Sequence, residues 1–311
     1  MNNNTDNLMP IKIELAIKYC SFFTFSFYVK KPNDEFVEIS HKPAGLKSIF
    51  RGYKERGLDI IYLRPTHYEE IISKLKNVLS HANNFKIVFN DLDDLFASVQ
   101  MQIKRHGFSD YSLNQCKEIT TIVVQNLMTI PNLADLISET KINNSNIFYQ
   151  SMVKAFISIC MLETFDWQSD ILKNKIAQAC LLMDLNLTND DLVIMHKEPR
   201  NMWPQYIFNH PHLNAKTVKD ASDQVSIQVL QIIELHHELP NAAGYPRGVD
   251  SSNIPLLAAL VIVAEEYTSR VLRDDYSPEQ SEQMMHTLCE LFSKGIFLTA
   301  RESLFAAINK K

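Results

Sequence analysis

Glycine is scarce in this sequence. There are only seven glycines in 311 residues, and none occurs from Phe108 to Ala243. Loops that cradle phosphate groups need glycine where the backbone approaches the ligand or turns tightly. The chain has neither a G-x-G-x-x-G pattern nor a P-loop. A long stretch without glycine is most easily built from helices, so the sequence predicts a mainly helical protein.

Paired cysteines, basic excess and long apolar runs are also missing. The five cysteines form no C-x-x-C pair, which excludes a zinc ribbon, and an odd scattered number suits a reducing cytoplasm. The 31 basic and 36 acidic residues give a net charge of −5, without the basic excess of nucleic-acid binders. The longest charge-free apolar runs reach about half of the ~20 residues of a membrane-spanning helix. We therefore predict a cytoplasmic protein whose partners include neither nucleic acid nor a membrane.

The start of the chain mixes strand and helix patterns. Phe23–Val29 is aromatic and β-branched, a turn-like KKPND follows, and FVEIS begins at Phe36, which predicts a β-hairpin. A buried strand is predicted from Leu58, and Thr66 is the predicted N-cap of the helix after it. Residues 1–75 are thus expected to form a small α/β accessory domain.

Helical spacing dominates the rest of the sequence. Within residues 76–112, apolar residues recur at helical spacing from Val88 to Ile103, which predicts a helical connector. The helical pattern then continues, so residues 113–311 are expected to form one all-helical domain. The predicted fold class is mainly α, with a small α/β domain and a connector in front of the helical domain.

The side chains that could bind a metal ion or take part in catalysis lie in the predicted helical domain. His236 and His237 end an apolar helix, and Glu265 lies in the next one. Upstream, Asp184 ends an apolar helix and His210 begins an HPHL segment. Neutral imidazoles and carboxylates suit iron, manganese, zinc or nickel, so these residues are candidate metal ligands.

The adjacent histidines allow more than one interpretation. Neighbouring side chains on a helix point about 100° apart, so one ion can take both only at a helix end. They otherwise serve two neighbouring metals, or one metal and a substrate. Alternatively, the pair caps helix carbonyls and the glutamates lie on a solvated face. The residue types and their spacing leave both interpretations open.

The stretch Ile232–Tyr267 resembles the HD-GYP family, bacterial members of the HD superfamily of metal-dependent phosphohydrolases. It has HHE at His236–Glu238, G-Y-P-x-G at Gly244–Gly248, I-P-L at Ile254–Leu256, and Ala264–Glu265 where the family has Ala-Asp. The order and spacing match without gaps. The resemblance implies an all-helical domain that hydrolyses cyclic di-GMP with two or three metal ions, often iron or manganese.

The resemblance also implies roles for individual residues. The implied metal ligands are Asp184, His210, His236, His237 and Glu265. Asp184 is also the implied catalytic residue, since the corresponding Asp of the family bridges two metals. The five ligands could hold one metal, so the expected cofactor is one or two iron, manganese or other divalent ions, or none.

Several positions depart from the family pattern. Met183 stands where the family has the His of its His-Asp pair, and Leu187 stands where it has a Lys that faces substrate phosphate. Gln150 and Asn146 replace a further His and a Glu. Arg273 matches a phosphate-contacting Arg only if the register slips by one residue. Together these losses predict weak or absent catalysis.

Three functional hypotheses follow. The first is a catalytically inactive HD-GYP-like protein of bacterial cyclic di-GMP signalling that acts by binding a partner or a nucleotide. The second is a residual phosphodiesterase with a rearranged metal site. The third is a hydrolase of a different small phosphate substrate, because the substrate-facing residues changed more than the late metal ligands.

The GYP loop has two interpretations of its own. In the family this loop lies beside the active site and has been proposed as a docking surface for signalling domains. Gly244, Tyr245 and Pro246 are therefore candidate substrate or partner residues, with cyclic di-GMP or a signalling-domain protein as the partner. Alternatively the loop is a tight turn that needs Gly244 at positive φ and Pro246 for rigidity. The proline-containing segment Lys197–Tyr206 is predicted to form a lid or loop over the site.

Overall fold

The structure is a computed structural model that describes residues 7–39, 45–81, 85–130, 136, 146–272 and 278–309. The chain divides into two compact units, Met1–Ile122 and Val123–Lys311. Over the described residues it forms thirteen α-helices and one four-stranded sheet. The prediction of a mainly helical protein with a small α/β region at its start is confirmed.

The first unit contains the sheet and the helices packed around it. Its elements are β1 (Met9–Lys12), α1 (Ile13–Lys18), β2 (Phe27–Lys30), β3 (Phe36–Ile39), α2 (Leu46–Glu55), β4 (Ile60–Leu63), α3 (Pro65–Ser80) and α4 (Phe85–His106). A further helix, α5 (Asp110–Leu127), runs across the boundary between the units.

The sheet has the order β1-β4-β2-β3, and every neighbouring pair is antiparallel. The predicted hairpin is confirmed, because Phe27 of β2 lies opposite Ile39 of β3. The predicted strand after Leu58 is β4. Strand β1 was not predicted, because four residues give little periodicity and its partner β4 lies far along the chain, with Met9 opposite Leu63.

The ends of two helices in this unit show how glycine and proline limit a helix. Helix α2 ends just before Gly57, which has φ = 85° and so occupies the left-handed region that favours glycine. The prediction that Thr66 caps α3 is wrong, because the helix begins at Pro65 and its N-cap is Arg64, without a side-chain cap. Proline fits the first helical position, where its fixed φ is suitable and no N–H is needed.

All regular elements of the second unit are helices over its described residues. After the end of α5 it contains α6 (Ile147–Leu162), α7 (Asp170–Leu182), α8 (Asn189–Lys197), α9 (Gln205–Ala221), α10 (Ile227–Leu235), α11 (Leu256–Val271), α12 (Pro278–Leu291) and α13 (Gly295–Asn309). Helix α6 lies at the centre, because it packs against α7, α11 and α13 and nearly all of its residues are buried.

No described helix is both long enough and apolar enough to cross a membrane.

Candidate metal centre

Asp184 lies just beyond the C-terminus of α7, where the chain turns out of the helix. It is 2% exposed. Asn214 of α9 fixes this turn, because its Nδ2 donates a hydrogen bond to the carbonyl oxygen of Met183 at 2.6 Å. Met183 itself is buried. The carboxylate of Asp184 is therefore held inside the helical unit.

His210 is oriented by a proline in its own helix. Pro211 lacks the N–H that would normally bond the carbonyl of Ile207, four residues earlier. The Nδ1 atom of His210 lies 2.5 Å from that carbonyl oxygen. A carbonyl can only accept, so Nδ1 carries the proton and the lone pair of the neutral ring is on Nε2.

His236 is oriented in the same way at the end of α10. Its Nδ1 lies 2.7 Å from the carbonyl oxygen of Ile233. Ile233 belongs to the last turn of α10, where carbonyl groups lack helical partners. The Nε2 atom of His236 therefore also presents a lone pair. Hydrogen bonding of the second ring nitrogen to a backbone carbonyl is a common feature of metal-binding histidines.

These lone pairs converge on one oxygen of Asp184. The Nε2 atoms of His210 and His236 are 3.2 Å apart, and they lie 3.2 and 3.5 Å from Asp184 Oδ1. Three acceptors at such distances repel one another unless a cation lies between them. Burial lowers the pKa of His210, although Asp184 partly offsets this effect, so an added proton is disfavoured.

His237 completes the group. One ligand atom from each of Asp184, His210, His236 and His237 lies within 4.8 Å of the others. Among the described residues, no hydrogen-bond partner satisfies Asp184 Oδ1 or His237 Nε2, although both atoms are buried. Burial, with His236 and His210 nearby, holds the pKa of His237 well below its usual value. Three neutral imidazoles and a carboxylate fit a divalent ion such as iron, manganese or zinc.

The other oxygen of Asp184 contacts a lysine. Lys154, in the middle of α6, places its Nζ 2.9 Å from Asp184 Oδ2 and 2.5 Å from Glu265 Oε2. Its side chain is 2% exposed. Burial by itself would lower the pKa of Lys154, but Asp184 and Glu265 together raise it above its ordinary value. The ammonium group therefore stays charged inside the protein.

The pKa values of the two carboxylates beside Lys154 shift in opposite directions. Burial would raise the pKa of Asp184, but the neighbouring Lys154 ammonium holds it well below its usual range. Burial raises the pKa of Glu265, and Lys154 offsets only part of that effect. Asp184 is thus the firmly ionised member of the pair, as a metal ligand should be.

Polar residues at two other family ligand positions have roles within the protein. Asn146 is the N-cap of α6, where its Oδ1 accepts a hydrogen bond from Tyr149 N at 3.0 Å. Gln150, one turn before Lys154, has its Nε2 3.3 Å from His196 Nε2. Neither residue belongs to the converging group of ligand atoms.

The GYP loop is held by a buried glutamate and by close backbone packing. Both carboxylate oxygens of Glu238 accept backbone hydrogen bonds, from Arg247 N at 2.9 Å and Val249 N at 3.1 Å. The expectation that Gly244 needs a positive φ is wrong. Of the two glycines in this loop, only Gly248 has a positive φ. Gly244 is required for a different reason, because a Cβ there would lie 2.3 Å from the backbone N of Leu239.

Tyr245 lies against the candidate ligands. The residue is 6% exposed, and its ring stacks on that of His237 with centroids 4.5 Å apart. Burial, with Glu265 and Asp184 nearby, raises the pKa of Tyr245 well above its usual value. The exposed part of the loop consists of residues 241–243 and Arg247. Any partner that docks on this loop would meet those residues first.

A cavity of about 490 Å³ opens onto this group. Its lining includes Lys154, Asp184, His237, Tyr245 and Glu265. The proline-containing segment predicted to lie over the site also lines it, through residues 197–200 and Trp203. This segment forms only a short 3-10 turn, Arg200–Met202, between α8 and α9.

The segment brings two cations to the cavity. Lys197 and Arg200 are exposed, and neither forms an ion pair with a described residue. The Arg200 guanidinium lies over the rings of Tyr245 and Trp203, 5.6 and 5.8 Å from their centroids. The third lining cation at the rim, Arg270, is paired with Glu266.

The structure brings together most of the predicted ligands. Asp184, His210, His236 and His237 form one group, whereas Glu265 lies outside it and pairs with Lys154. Arg273 lies outside the described residues. Leu187 is buried, so its position contributes no charge to the cavity.

Lys154, Lys197 and Arg200 were not among the predicted site residues. Lys154 could have been found, because it is the only charged residue in the apolar run of α6, and lysine is almost never fully buried unless it is paired. No pattern marks Lys197 and Arg200, since exposed cations are common.

Comparison with known proteins supplies one likeness. A solved structure, Bd1817, a HDG"Y"P protein from Bdellovibrio bacteriovorus, superposes with a TM-score of 0.56 over 97% of this chain and 98% of that chain. The fold is therefore similar to that of this HDG"Y"P protein. The two sequences are 17% identical, so the likeness concerns the fold alone. No family model and no curated protein matches this chain.

Proposed function

We propose that this chain is an HD-GYP-type protein of cyclic di-GMP signalling that binds a nucleotide phosphodiester and does not hydrolyse it at an enzymatic rate. The observation that carries the proposal is the cavity, whose lining includes Lys154 and two of the four candidate ligands, Asp184 and His237. Its rim carries Lys197 and Arg200 without carboxylate partners among the described residues. Unpaired cations above a metal centre suit an anionic ligand with phosphate oxygens.

The cations occupy different elements from those of the family pattern. The resemblance implies a phosphate-facing lysine at position 187, where this chain has a buried leucine. Lys197, the last residue of α8, and Arg200, in the turn that follows, supply positive charge instead. Trp203, on the same segment, adds an aromatic surface on which a base could stack.

The arrangement around Asp184 favours binding over catalysis. A bound divalent ion would act as a Lewis acid on a phosphoryl oxygen. A two-metal clamp needs free ligands on both sides of the bridging carboxylate, and here Lys154 contacts the second side. Gln150 and Met183 offer no imidazole at the positions where the family has histidine.

A one-metal phosphodiesterase is the alternative. It is favoured by the complete group of Asp184, His210, His236 and His237, which provides enough ligands for one ion. Under this alternative, Asp184→Ala and His236→Ala abolish a metal-dependent turnover that the unmodified protein shows.

Calorimetric titration with cyclic di-GMP, and with GMP as the simpler probe, tests the proposal. We expect cyclic di-GMP to bind, and the double variant Lys197→Ala/Arg200→Ala to lose affinity by about 10-fold or more, because hydrogen bonds to charged groups contribute roughly 1.5–3 kcal/mol each. The double variant Lys216→Ala/Lys219→Ala removes the same charge from exposed positions of α9 outside the cavity lining, and it should bind normally.

Product analysis with Mn²⁺ separates the alternatives. Absence of pGpG and GMP after prolonged incubation with cyclic di-GMP supports the binding function. Turnover that disappears in Asp184→Ala would establish the phosphodiesterase instead. If neither nucleotide binds, the proposed function is wrong.

A further inference from the structure

Lys154 is the most deeply enclosed cation of the site. It lies at the centre of α6, the most buried helix of its unit, and its side chain is 2% exposed. Its ammonium contacts two carboxylates, Asp184 and Glu265, that come from two other parts of the chain. A buried charge is tolerated only when it is paired, so the three residues stabilise one another as a unit.

The position of this ammonium relative to Asp184 is that of a second cation. Oδ1 of Asp184 faces the Nε2 atoms of His210 and His236, and Oδ2 faces the Nζ of Lys154. A carboxylate that bridges two cations contacts one with each oxygen. Here the histidine side offers lone pairs to an ion, whereas on the other side the protein supplies the positive charge itself.

The ligands around the ammonium agree with this assignment. Glu265, which sequence resemblance assigned to the metal, is paired with Lys154 at 2.5 Å and lies outside the converging ligand group. A divalent ion at Oδ2 would have to displace the ammonium or lie against it, which like-charge repulsion in a buried site strongly disfavours. The lysine and a second metal ion are therefore mutually exclusive.

We propose that Lys154 is a built-in cation that replaces a second metal ion, so that the centre takes one divalent ion, held by Asp184, His210, His236 and His237. This inference rests on the proposed function, since it specifies the metal complement of the same site. It also assigns Glu265 to the protein's own charge network and not to the metal. Lys154 thus determines how many metal ions the centre binds.

Metal counting on the full chain tests the inference. The protein is stripped with a chelator, loaded anaerobically with excess Mn²⁺, desalted, and analysed by mass spectrometry for metal per chain. We expect one ion in the unmodified protein and two in Lys154→Ala, because the substitution leaves Asp184 Oδ2 and Glu265 free for an ion. Two ions, or none, in the unmodified protein would overturn the inference.

Lys173→Ala is the matched control. Lys173 is also a buried lysine paired with a glutamate, since its Nζ lies 2.6 Å from Glu163 Oε1, but it does not line the cavity. The control should keep one ion. If folded Lys154→Ala also keeps one ion, the lysine does not exclude a second metal and the inference is wrong.

Glu265→Gln provides a test that does not depend on the folding of Lys154→Ala. If Glu265 is not a ligand, Glu265→Gln should still bind Mn²⁺, and its dissociation constant should rise by no more than the roughly 10- to 100-fold that loss of an outer-shell partner costs. His237→Ala, which removes a ligand, should raise the constant further. Loss of Mn²⁺ binding in Glu265→Gln would overturn the inference. The proposed function fails separately, if cyclic di-GMP does not bind to protein that carries one ion.

Discussion

The two sides of the Asp184 carboxylate are built differently. On the Oδ1 side, imidazole nitrogens face the oxygen at 3.2 and 3.5 Å and the described residues supply no donor. On the Oδ2 side, the ammonium of Lys154 lies at 2.9 Å and a second carboxylate completes the pair. The histidine side therefore needs a cation from solution, whereas the lysine side is complete within the chain.

Because of this difference, substitutions on the two sides should affect different properties, metal affinity on one side and folding stability on the other. A buried ion pair that loses one partner typically costs about 3–5 kcal/mol, because the remaining charge is left without compensation. Neutral histidines carry no such penalty when one of them is removed. We therefore expect changes on the lysine side to affect folding most, and changes on the histidine side to affect metal affinity most.

Asp184→Asn removes the negative charge that both sides share. We expect it to have the largest effect on both stability and metal binding. Lys154 keeps only Glu265 as a charged partner, so the free energy of unfolding should fall by about 3–5 kcal/mol in metal-free protein. Chemical denaturation measures this loss, and metal analysis should find no bound Mn²⁺.

The control for Asp184→Asn is Asp191→Asn. Asp191 is also buried, but it belongs to the capping box of α8, so its loss should cost about 0.5–2 kcal/mol and leave Mn²⁺ binding intact. A stability loss in Asp184→Asn no larger than in this control would contradict the charge network.

His236→Ala removes a ligand from the histidine side alone. We expect the Mn²⁺ dissociation constant to rise by at least about 100-fold, since even outer-shell changes cost up to that much. Titration with the metal measures the change. His212→Ala, at an exposed residue of α9 that pairs with Glu234, should leave the constant unchanged. Equal effects of the two variants would show that the ion does not bind at the histidines.

Low pH should reduce the folding stability of the metal-free protein, because histidines on the Oδ1 side of Asp184 are kept neutral in the folded state. The pKa values of His210 and His237 are lowered in the folded protein, so the unfolded chain takes up protons first as the pH falls. Stability is then greatest above the ordinary histidine pKa of about 6.5, and it falls below that value by at most about 1.4 kcal/mol per pH unit for each histidine that stays neutral.

Urea denaturation at pH 7.5 and 5.5 checks this dependence. His237→Gln, which removes one titrating ring, should reduce the difference in unfolding free energy between the two pH values. An unchanged difference would mean that His237 does not contribute to it.

Sequence reasoning found the candidate ligands that share short motifs and missed Lys154. His236 and His237 are adjacent, and the HHE and G-Y-P-x-G elements follow each other at fixed spacing, so the pattern is visible in one stretch. Asp184 and His210 could be added because each ends or begins a recognisable segment. Lys154 belongs to no motif, and only its charge within an apolar helix marks it.

The exact roles within the GYP loop also needed the structure. The motif predicts a turn with functionally placed residues, but Gly244 is needed because a Cβ there would clash with the backbone of Leu239, and the positive φ values of the loop are at Ala242 and Gly248. Contacts of this kind depend on how the loop folds back on the end of α10, which local sequence does not encode.

The sequence by itself determined the mainly helical class, the hairpin of the first unit and the identity of four candidate ligands, because apolar periodicity and fixed motif spacing are local properties. Only the tertiary structure decided which groups lie next to each oxygen of Asp184. Lys154 in α6, Asp184 just after α7 and Glu265 in α11 are far apart in the chain, and their pairing follows from the packing of α6 against α7 and α11. Burial then makes that pairing obligatory, since an unpaired charge inside the unit would be too costly.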